Sequence, residues 1–300
     1  MILVTSNEKD YGLIDSGNGK KLERYGSVIM DRPDPQAMWQ PLKNRDVWNT
    51  ANAVFMREVK TTKWHNDKTV PAAWPMPFAG LVFEIRPTSF KHTGLFPEHR
   101  ENWKWMQNIL TRSADAAHPL HYRGEGFVPK VLNLFGYTGG ASLACAQAGA
   151  EVVHVDGSKM AIGWAKKNQE LSGLNDKPIR WILDDAILFL KREIKRGNTY
   201  DGIVMDPPAF GRGPKGEVWK IEEQFDELMK LCKSVLSDKP LFFLINGYAS
   251  GYSPIAYQNN LLELVEKHGG SIETGELTIE ETGTKRLLPC GIFARYSPIA

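Results

Sequence analysis

Val131-Leu-Asn-Leu-Phe-Gly-Tyr-Thr-Gly-Gly-Ala-Ser142 is an apolar run followed by three glycines in quick succession and then the start of a helical stretch. A strand that stops in glycines and restarts as a helix makes a binding turn. Glycine lets the chain reverse tightly and lets a ligand approach the backbone, and the helix start offers unpaired N–H groups. The spacing here is G-x-x-G-G. It is neither the G-x-G-x-x-G that seats a pyrophosphate nor the G-x-x-x-x-G-K-[ST] of a triphosphate loop, which weakens dinucleotide and triphosphate readings.

Outward from this turn, short apolar runs alternate with helical stretches. Strands are expected at Val131–Phe135, Glu151–Asp156, Ile179–Asp184, Tyr200–Asp206 and Pro240–Asn246. Helices are expected at Gly140–Ala148, Lys159–Ser172, Ala186–Arg196, Ile221–Leu236 and Ile255–His268. Such alternation builds βαβ units on a parallel sheet. Two further strand-like runs, Ser271–Ile279 and Leu287–Tyr296, flank the turn Glu281-Thr282-Gly283-Thr284, so the last strand should run antiparallel.

Upstream, Glu98 to Leu110 reads as helix, and the first ninety residues as short strands (YGLI, YGSVIM, AVFMREV, GLVFEIR) between turn signals such as Ser16-Gly17-Asn18-Gly19. The expectation is a small β-rich domain over residues 1–90 and a larger α/β domain over 91–300. Trp39, Trp48, Trp64, Trp74, Trp103 and Trp105 fall in or next to the first part and are expected in its core.

The 300 residues are 42% hydrophobic and 24% charged, which excludes a disordered or fibrous chain. The net charge of +2 sets up no global field for nucleic acid or membrane. Residues 1–130 are net +4 and the remainder net −2. Cys145, Cys232 and Cys290 are odd in number and lack C-x-x-C spacing, so neither a disulfide framework nor a metal site is expected. No signal peptide or membrane span is recognisable, and a cytoplasmic location is expected.

The strand ends supply the chemistry. Asp156, twenty residues after Gly136 and followed by Gly157-Ser158, stands where a carboxylate can accept both ribose hydroxyls, although an aspartate after a strand also serves as a helix N-cap. The third strand ends in Asp184-Asp185-Ala186, beside an adenine position. This describes an adenosine cradle without a phosphate grip, which points to S-adenosylmethionine. The fourth strand ends in Asp206-Pro207-Pro208-Ala209-Phe210. Two prolines stiffen the backbone, so the Asp206 carboxylate and the local carbonyls act as rigid acceptors, and Phe210 offers a flat ring for stacking.

As a set, these residues resemble a class I S-adenosylmethionine-dependent methyltransferase. They are similar to the bacterial 23S ribosomal RNA large-subunit methyltransferase family, which has cytosine-C5 and guanine-N7 members. The resemblance rests on Asn133-Leu-Phe-Gly-Tyr-Thr-Gly-Gly140, Val155-Asp156-Gly-Ser158 with Ala165-Lys-Lys-Asn168, Asp184-Asp-Ala186, Asp206-Pro-Pro-Ala-Phe210, and upstream Lys91-His-Thr-Gly-Leu-Phe-Pro-Glu-His-Arg-Glu-Asn102. It implies a Rossmann-like seven-stranded sheet with an antiparallel last strand. It also implies cofactor contacts from Phe135, Gly136, Tyr137, Thr138, Gly139, Asp156, Gly157, Ser158, Asp184, Asp185, Ala186 and Asp206, with His92, Gly94 and Phe96 covering the cofactor. Asp206, Pro207, Pro208 and Phe210 would face the acceptor.

Two departures sharpen this. Methylating cytosine C5 needs a cysteine that adds to the ring, and relatives of that kind carry it near the end of the fifth strand, where this chain reads Leu244-Ile-Asn246-Gly-Tyr248. A nitrogen acceptor is therefore expected, either guanine N7 or an exocyclic amine. No separate RNA-binding module is recognisable, so RNA, most naturally ribosomal, would be held by the β-rich part and by Arg212, Lys215 and Trp219 of the loop Gly211–Lys220. Methylation of a protein or small metabolite, an NAD(P)-dependent oxidoreductase and a non-catalytic adenosine-binding protein stand as the competing readings. Monomer and homodimer stay open.

Overall fold

The computed structural model describes residues 1–57, 62–88, 91–114, 126–248 and 251–298. Glu58 and Val59, the end of the first-part run AVFMREV, lie outside them. The chain divides into a smaller unit, Ile2–Arg100 with Leu277–Cys290, and a larger one, Met1, Glu101–Glu276 and Gly291–Ala300.

The smaller unit holds β1 (Ile2–Thr5), β2 (Tyr11–Gly17), β3 (Lys20–Tyr25), β4 (Val28–Pro33), the short helix α1 (Arg45–Trp48), β5 (Ala53–Arg57), β6 (Thr62–Asn66), β7 (Trp74–Phe78) and β8 (Leu81–Ile85). Strands β2 to β6 form one sheet in sequence order, and β7–β8 a hairpin. Asn18 and Gly19 join β2 to β3 with φ of +51° and +74°, the two left-handed positions a tight two-residue hairpin turn requires.

Strand β3 reads KKLERY, too polar to be recognised as a strand, because its buried side carries charge. Glu23 is fully buried and accepts from the Tyr11 hydroxyl at 2.7 Å and from Arg32 Nε at 2.9 Å. Burial alone would raise its carboxyl, but Arg32 and Lys21 hold it at about 2. Arg32 also donates to the Lys91 carbonyl at 2.9 Å, tying β4 to the Lys91–Phe96 segment.

The tryptophan expectation needs correction. Trp39, Trp48, Trp64, Trp74 and Trp105 are only partly buried. Four of them lie at the rim with the indole N–H bonded: Trp39 to Ser16 O, Trp48 to Asp15, Trp64 to Thr88 O and Trp74 to Tyr25 O. A polar N–H on a large ring favours such half-buried places. Only Trp103 of the six is a core residue.

The larger unit follows the expected alternation. It comprises α2 (Arg100–Ala114), β9 (Lys130–Leu134), α3 (Gly140–Gln147), β10 (Glu151–Asp156), α4 (Lys159–Leu171), β11 (Ile179–Leu183), α5 (Ala186–Arg196), β12 (Gly202–Met205), β13 (Phe210–Arg212), β14 (Val218–Lys220), α6 (Ile221–Ser234), β15 (Phe242–Gly247), α7 (Pro254–Asn259) and α8 (Leu262–His268), then most of the long strands β16 (Ser271–Glu280) and β17 (Leu287–Ser297), whose residues from Leu277 to Cys290 count with the smaller unit. The stretch expected as one helix over Ile255–His268 is interrupted at Asn260, which caps α7.

The sheet order β16-β17-β15-β12-β9-β10-β11 contains the seven expected strands, and β1 adds an eighth beside β16. Pairings among β15, β12, β9, β10 and β11 are parallel, and β17 runs antiparallel to β15. Strands β12 and β15 are buried along their whole length, as expected where helices cover both faces. From β9 the chain adds β10 and β11 on one side, then returns to place β12 on the other. The order therefore reverses between β9 and β12, and at such a switch point strand C-termini open a ligand crevice. No helix among the described residues is long and apolar enough to cross a membrane.

Candidate functional site

The C-termini of β9, β10, β11 and β12 bring the glycine turn, Asp156, Asp184-Asp185 and Asp206 to one end of the sheet. The turn is strained. Phe135 and Tyr137 sit at φ of +55° and +48°, uncommon for residues with side chains and costing on the order of 1–3 kcal/mol each. Such strain persists only where the surroundings enforce it, and here they do. Gly136 N–H donates to Val155 O, Tyr137 N–H to Asp156 Oδ2 at 2.8 Å, and Gly139 N–H to Gly136 O. Gly139, left-handed at φ +88°, starts α3 with no side-chain cap.

The structure revises why the other two glycines are there. A Cβ on Gly136 would lie 2.4 Å from His154 Cε1, and one on Gly140 would lie 2.4 Å from Trp103 Cζ2. Both are small because the protein's own rings fill the space beneath the turn. His154 is fully buried, its imidazole pushed down to about 3 by burial, and it shares Ser142 Oγ (2.9 Å) with Asn133 Nδ2 (2.8 Å). We expect Gly136→Ala to lose about 1–3 kcal/mol of stability in urea unfolding, and His154→Ala in the same chain to return part of it by making room. Equal stability of Gly136→Ala and the parent would contradict this packing.

Asp156 fits an adenosine ligand. Its two oxygens accept from Tyr137 and Ser158 N–H at 2.8 and 2.7 Å, lashing β10 to the turn. Each oxygen keeps a lone pair for a further donor such as a ribose hydroxyl. Burial raises its carboxyl, partly offset by those two N–H groups. Ser158 caps α4, and Thr138 is buried with its carbonyl held by Asn168 Nδ2 at 2.9 Å. Gly157 lies against the Arg212 carbonyl.

The pair Asp184-Asp185 divides its work. Asp184 forms an ion pair with Arg192 and accepts from Asp185 N–H, and its own N–H reaches Asp156 O at 3.1 Å. Asp185 caps α5 by accepting from Leu188 N–H, with Ala186 buried behind it. His92, Gly94 and Phe96 belong to the smaller unit. There the His92 ring lies 5.3 Å from that of Phe96 and is pushed down to about 4, by burial and then by Arg32, Lys91 and Lys21.

At the β12 end, Asp206 N–H reaches Leu134 O, Pro207 is buried and Pro208 exposed. Phe210 is 56% exposed, so its ring is free to stack. The stretch expected as a loop is the hairpin β13–β14, and its register sorts the side chains. Gly211 pairs with Trp219 on the inner face, while Phe210, Arg212, Val218 and Lys220 share the outer one. This corrects Trp219, expected as a contact surface for substrate: it is 3% exposed, donates from Nε1 to Pro208 O at 2.6 Å and packs 5.0 Å from Phe135. It braces the turn instead. Arg212 lies 6.0 Å from the Phe210 ring, and Lys215 is exposed at the hairpin tip.

Three residues not singled out from sequence also bear on this end. Tyr257 packs against Gly247, its hydroxyl raised to about 12 by burial and by the Asp206 charge. Asn246 and Asn102 share a buried hydrogen bond. Sequence names Asn102 only as the last residue of the Lys91–Asn102 segment and Asn246 only within the stretch that lacks a cysteine, neither with a role of its own. All three cysteines are buried. Burial pushes the Cys145 thiol up to about 12 and raises Cys232 and Cys290 strongly.

No family model matches the chain. It is similar over 99% of its length to a crystal structure described as the SAM-dependent methyltransferase from Agrobacterium tumefaciens, covering 93% of that chain at 42% identity with a TM-score of 0.90. Among curated proteins it is 30% identical over 173 residues to the ribosomal RNA large subunit methyltransferase K of Neisseria meningitidis, and 32% identical over 160 residues to the K/L protein of Hahella chejuensis. These alignments take in 57% and 53% of the chain but only 44% and 20% of the relatives.

Proposed function

The chain belongs to the S-adenosylmethionine-dependent methyltransferases, and within that family we propose that it methylates a base nitrogen of ribosomal RNA by in-line transfer, without a cysteine nucleophile. The observation that carries the reading is the β12 end. The Asp206 carboxylate, a stiff Pro207-Pro208 turn and an exposed Phe210 ring stand next to the glycine turn, with every described cysteine sealed in the core. The names of the curated relatives support RNA as the substrate class.

When bound, the cofactor supplies an electrophilic methyl group on a sulfonium. The chain's own contribution is placement. Asp156 and the turn orient the adenosine, Asp206 accepts from the acceptor's N–H, and Phe210 presents a face to the base. Holding two reactants in line converts a bimolecular encounter into a unimolecular one, and the proton that the acceptor amine sheds on methylation passes by way of Asp206 to water. Arg212 and Lys215, on a hairpin with one exposed face, would hold phosphates. Free thiols and the rRNA substrate fit a reducing cytoplasm.

Mass spectrometry of rRNA from a strain lacking the gene tests this: one methyl mark should be missing from the large-subunit RNA. Label from the cofactor appearing in protein or small metabolites instead would overturn it. Cys145→Ala, Cys232→Ala and Cys290→Ala, each assayed below its unfolding temperature, are expected to keep turnover near that of the parent. Removing a true nucleophile costs on the order of 10⁴-fold or more.

A further inference from the structure

We propose that Asn246 reads the acceptor base: a buried chain of polar side chains fixes its amide so that an N–H faces the crevice beside the Asp206 carboxylate. The inference rests on the reading of the β12 end as the acceptor site.

The chain begins at Arg295, which is 7% exposed. Its guanidinium stands 4.8 Å from the Trp105 ring centroid and 5.3 Å from that of Phe293, and its Nε donates to Glu273 at 2.7 Å. Arginine has donors and no acceptor. Its NH1, 3.1 Å from Asn102, therefore meets the carboxamide oxygen. That choice leaves Asn102 Nδ2 as the group facing Asn246 across 2.8 Å, and a donor there demands the oxygen of Asn246. The NH₂ of Asn246 must then point the other way. Asn102 is fully buried and Asn246 is 5% exposed, so reversing either amide would leave like groups opposed with little water to relieve them.

The register supplies the neighbour. Strands β12 and β15 pair in parallel as far as Met205 opposite Ile245, and Asp206 and Asn246 are the next residues along the two chains, at the same end of the sheet. The result is an acceptor next to a donor. This pair complements a planar edge that carries an N–H beside an acceptor, as the Watson–Crick edges of adenine, cytosine and guanine do. The guanine Hoogsteen edge, with N7 and O6 both acceptors, would set an acceptor against the carboxylate. The base is therefore held by a Watson–Crick edge or by the Hoogsteen edge of adenine, whose N6–H lies beside N7, and not by the Hoogsteen edge of guanine. Asn246 occupies the strand end where the cytosine-C5 enzymes that the sequence resembles carry their cysteine.

The test uses the full chain with methyl-tritiated cofactor and an extract of a strain lacking the gene, fractionated into RNA, protein and small molecules. Asn246→Ala should lower kcat/KM for the labelled fraction by about 10- to 100-fold while leaving S-adenosylhomocysteine affinity by calorimetry essentially unchanged. Asn246→Asp, which places a second carboxylate beside Asp206, should lose more. Asn246→Ser, smaller but still a donor, should recover part of the loss and serves if the alanine variant unfolds. An Asn246→Ala enzyme that keeps its kcat/KM, or one whose cofactor affinity falls in parallel, overturns the proposal. Label outside the RNA fraction overturns the nucleic-acid reading and the base-reading role with it, whereas label in RNA with an unaffected Asn246→Ala enzyme overturns the role of Asn246 alone.

Discussion

Asp206→Ala is expected to lower methyl transfer by roughly 10²–10³-fold, the cost of removing one preorganised polar group from a reacting centre. The reason is the position of the carboxylate. It stands at the sheet's switch point, one residue past the paired Leu134, Met205 and Ile245 of three adjacent strands. The following prolines deny the backbone the freedom to move a substitute into place. Asp206→Asn keeps an acceptor oxygen and should lie between the alanine variant and the parent. Rates with saturating cofactor, together with S-adenosylhomocysteine calorimetry, separate the two roles assigned to this residue. A loss confined to kcat places Asp206 at the acceptor, and an alanine variant that keeps more than a tenth of the rate refutes its role.

Arg32→Met is expected to destabilise the smaller unit by about 3–5 kcal/mol, because removing one partner leaves the other charge buried and uncompensated. Glu23 is fully buried, with Tyr11, Tyr25 and Lys21 left to hold it. The pH dependence follows from the direction of its shift. The folded carboxyl lies at about 2, below its ordinary value of 4.5, so its stabilising contribution is complete above about 4.5 and fades as pH falls toward 2. In Arg32→Met the folded value rises. The difference between variant and parent in urea unfolding should thus be greatest near neutrality and shrink below about pH 4.5, and a difference independent of pH would contradict the account.

The α/β alternation was legible because β9 to β12 and β15 are apolar runs set between amphipathic helices, and because Ser158, Asp185 and Gly197 mark helix ends by ordinary capping chemistry. The smaller unit was less so. Strand β3 hid behind Lys20, Lys21, Glu23 and Arg24, since a charge that is buried and paired looks in sequence like one in water. The β13–β14 hairpin read as a loop because three-residue strands joined through Gly213 and Gly216 are too short to show periodicity, and only its register shows that Trp219 turns inward.

The sequence by itself determined the order of elements, the binding turn and the carboxylates at strand ends, because spacing along the chain encodes period, turn and cap. Tertiary structure alone decided which distant polar groups meet. Asn102 and Asn246 are 144 residues apart, and Asn102 and Arg295 are 193 apart. A hydrogen bond's direction depends on which donor faces which acceptor, and no local pattern carries that information. The same holds for the glycines of the opening turn. Sequence marks them as small, but only the His154 and Trp103 rings beneath show that two of them are small for the protein's own packing.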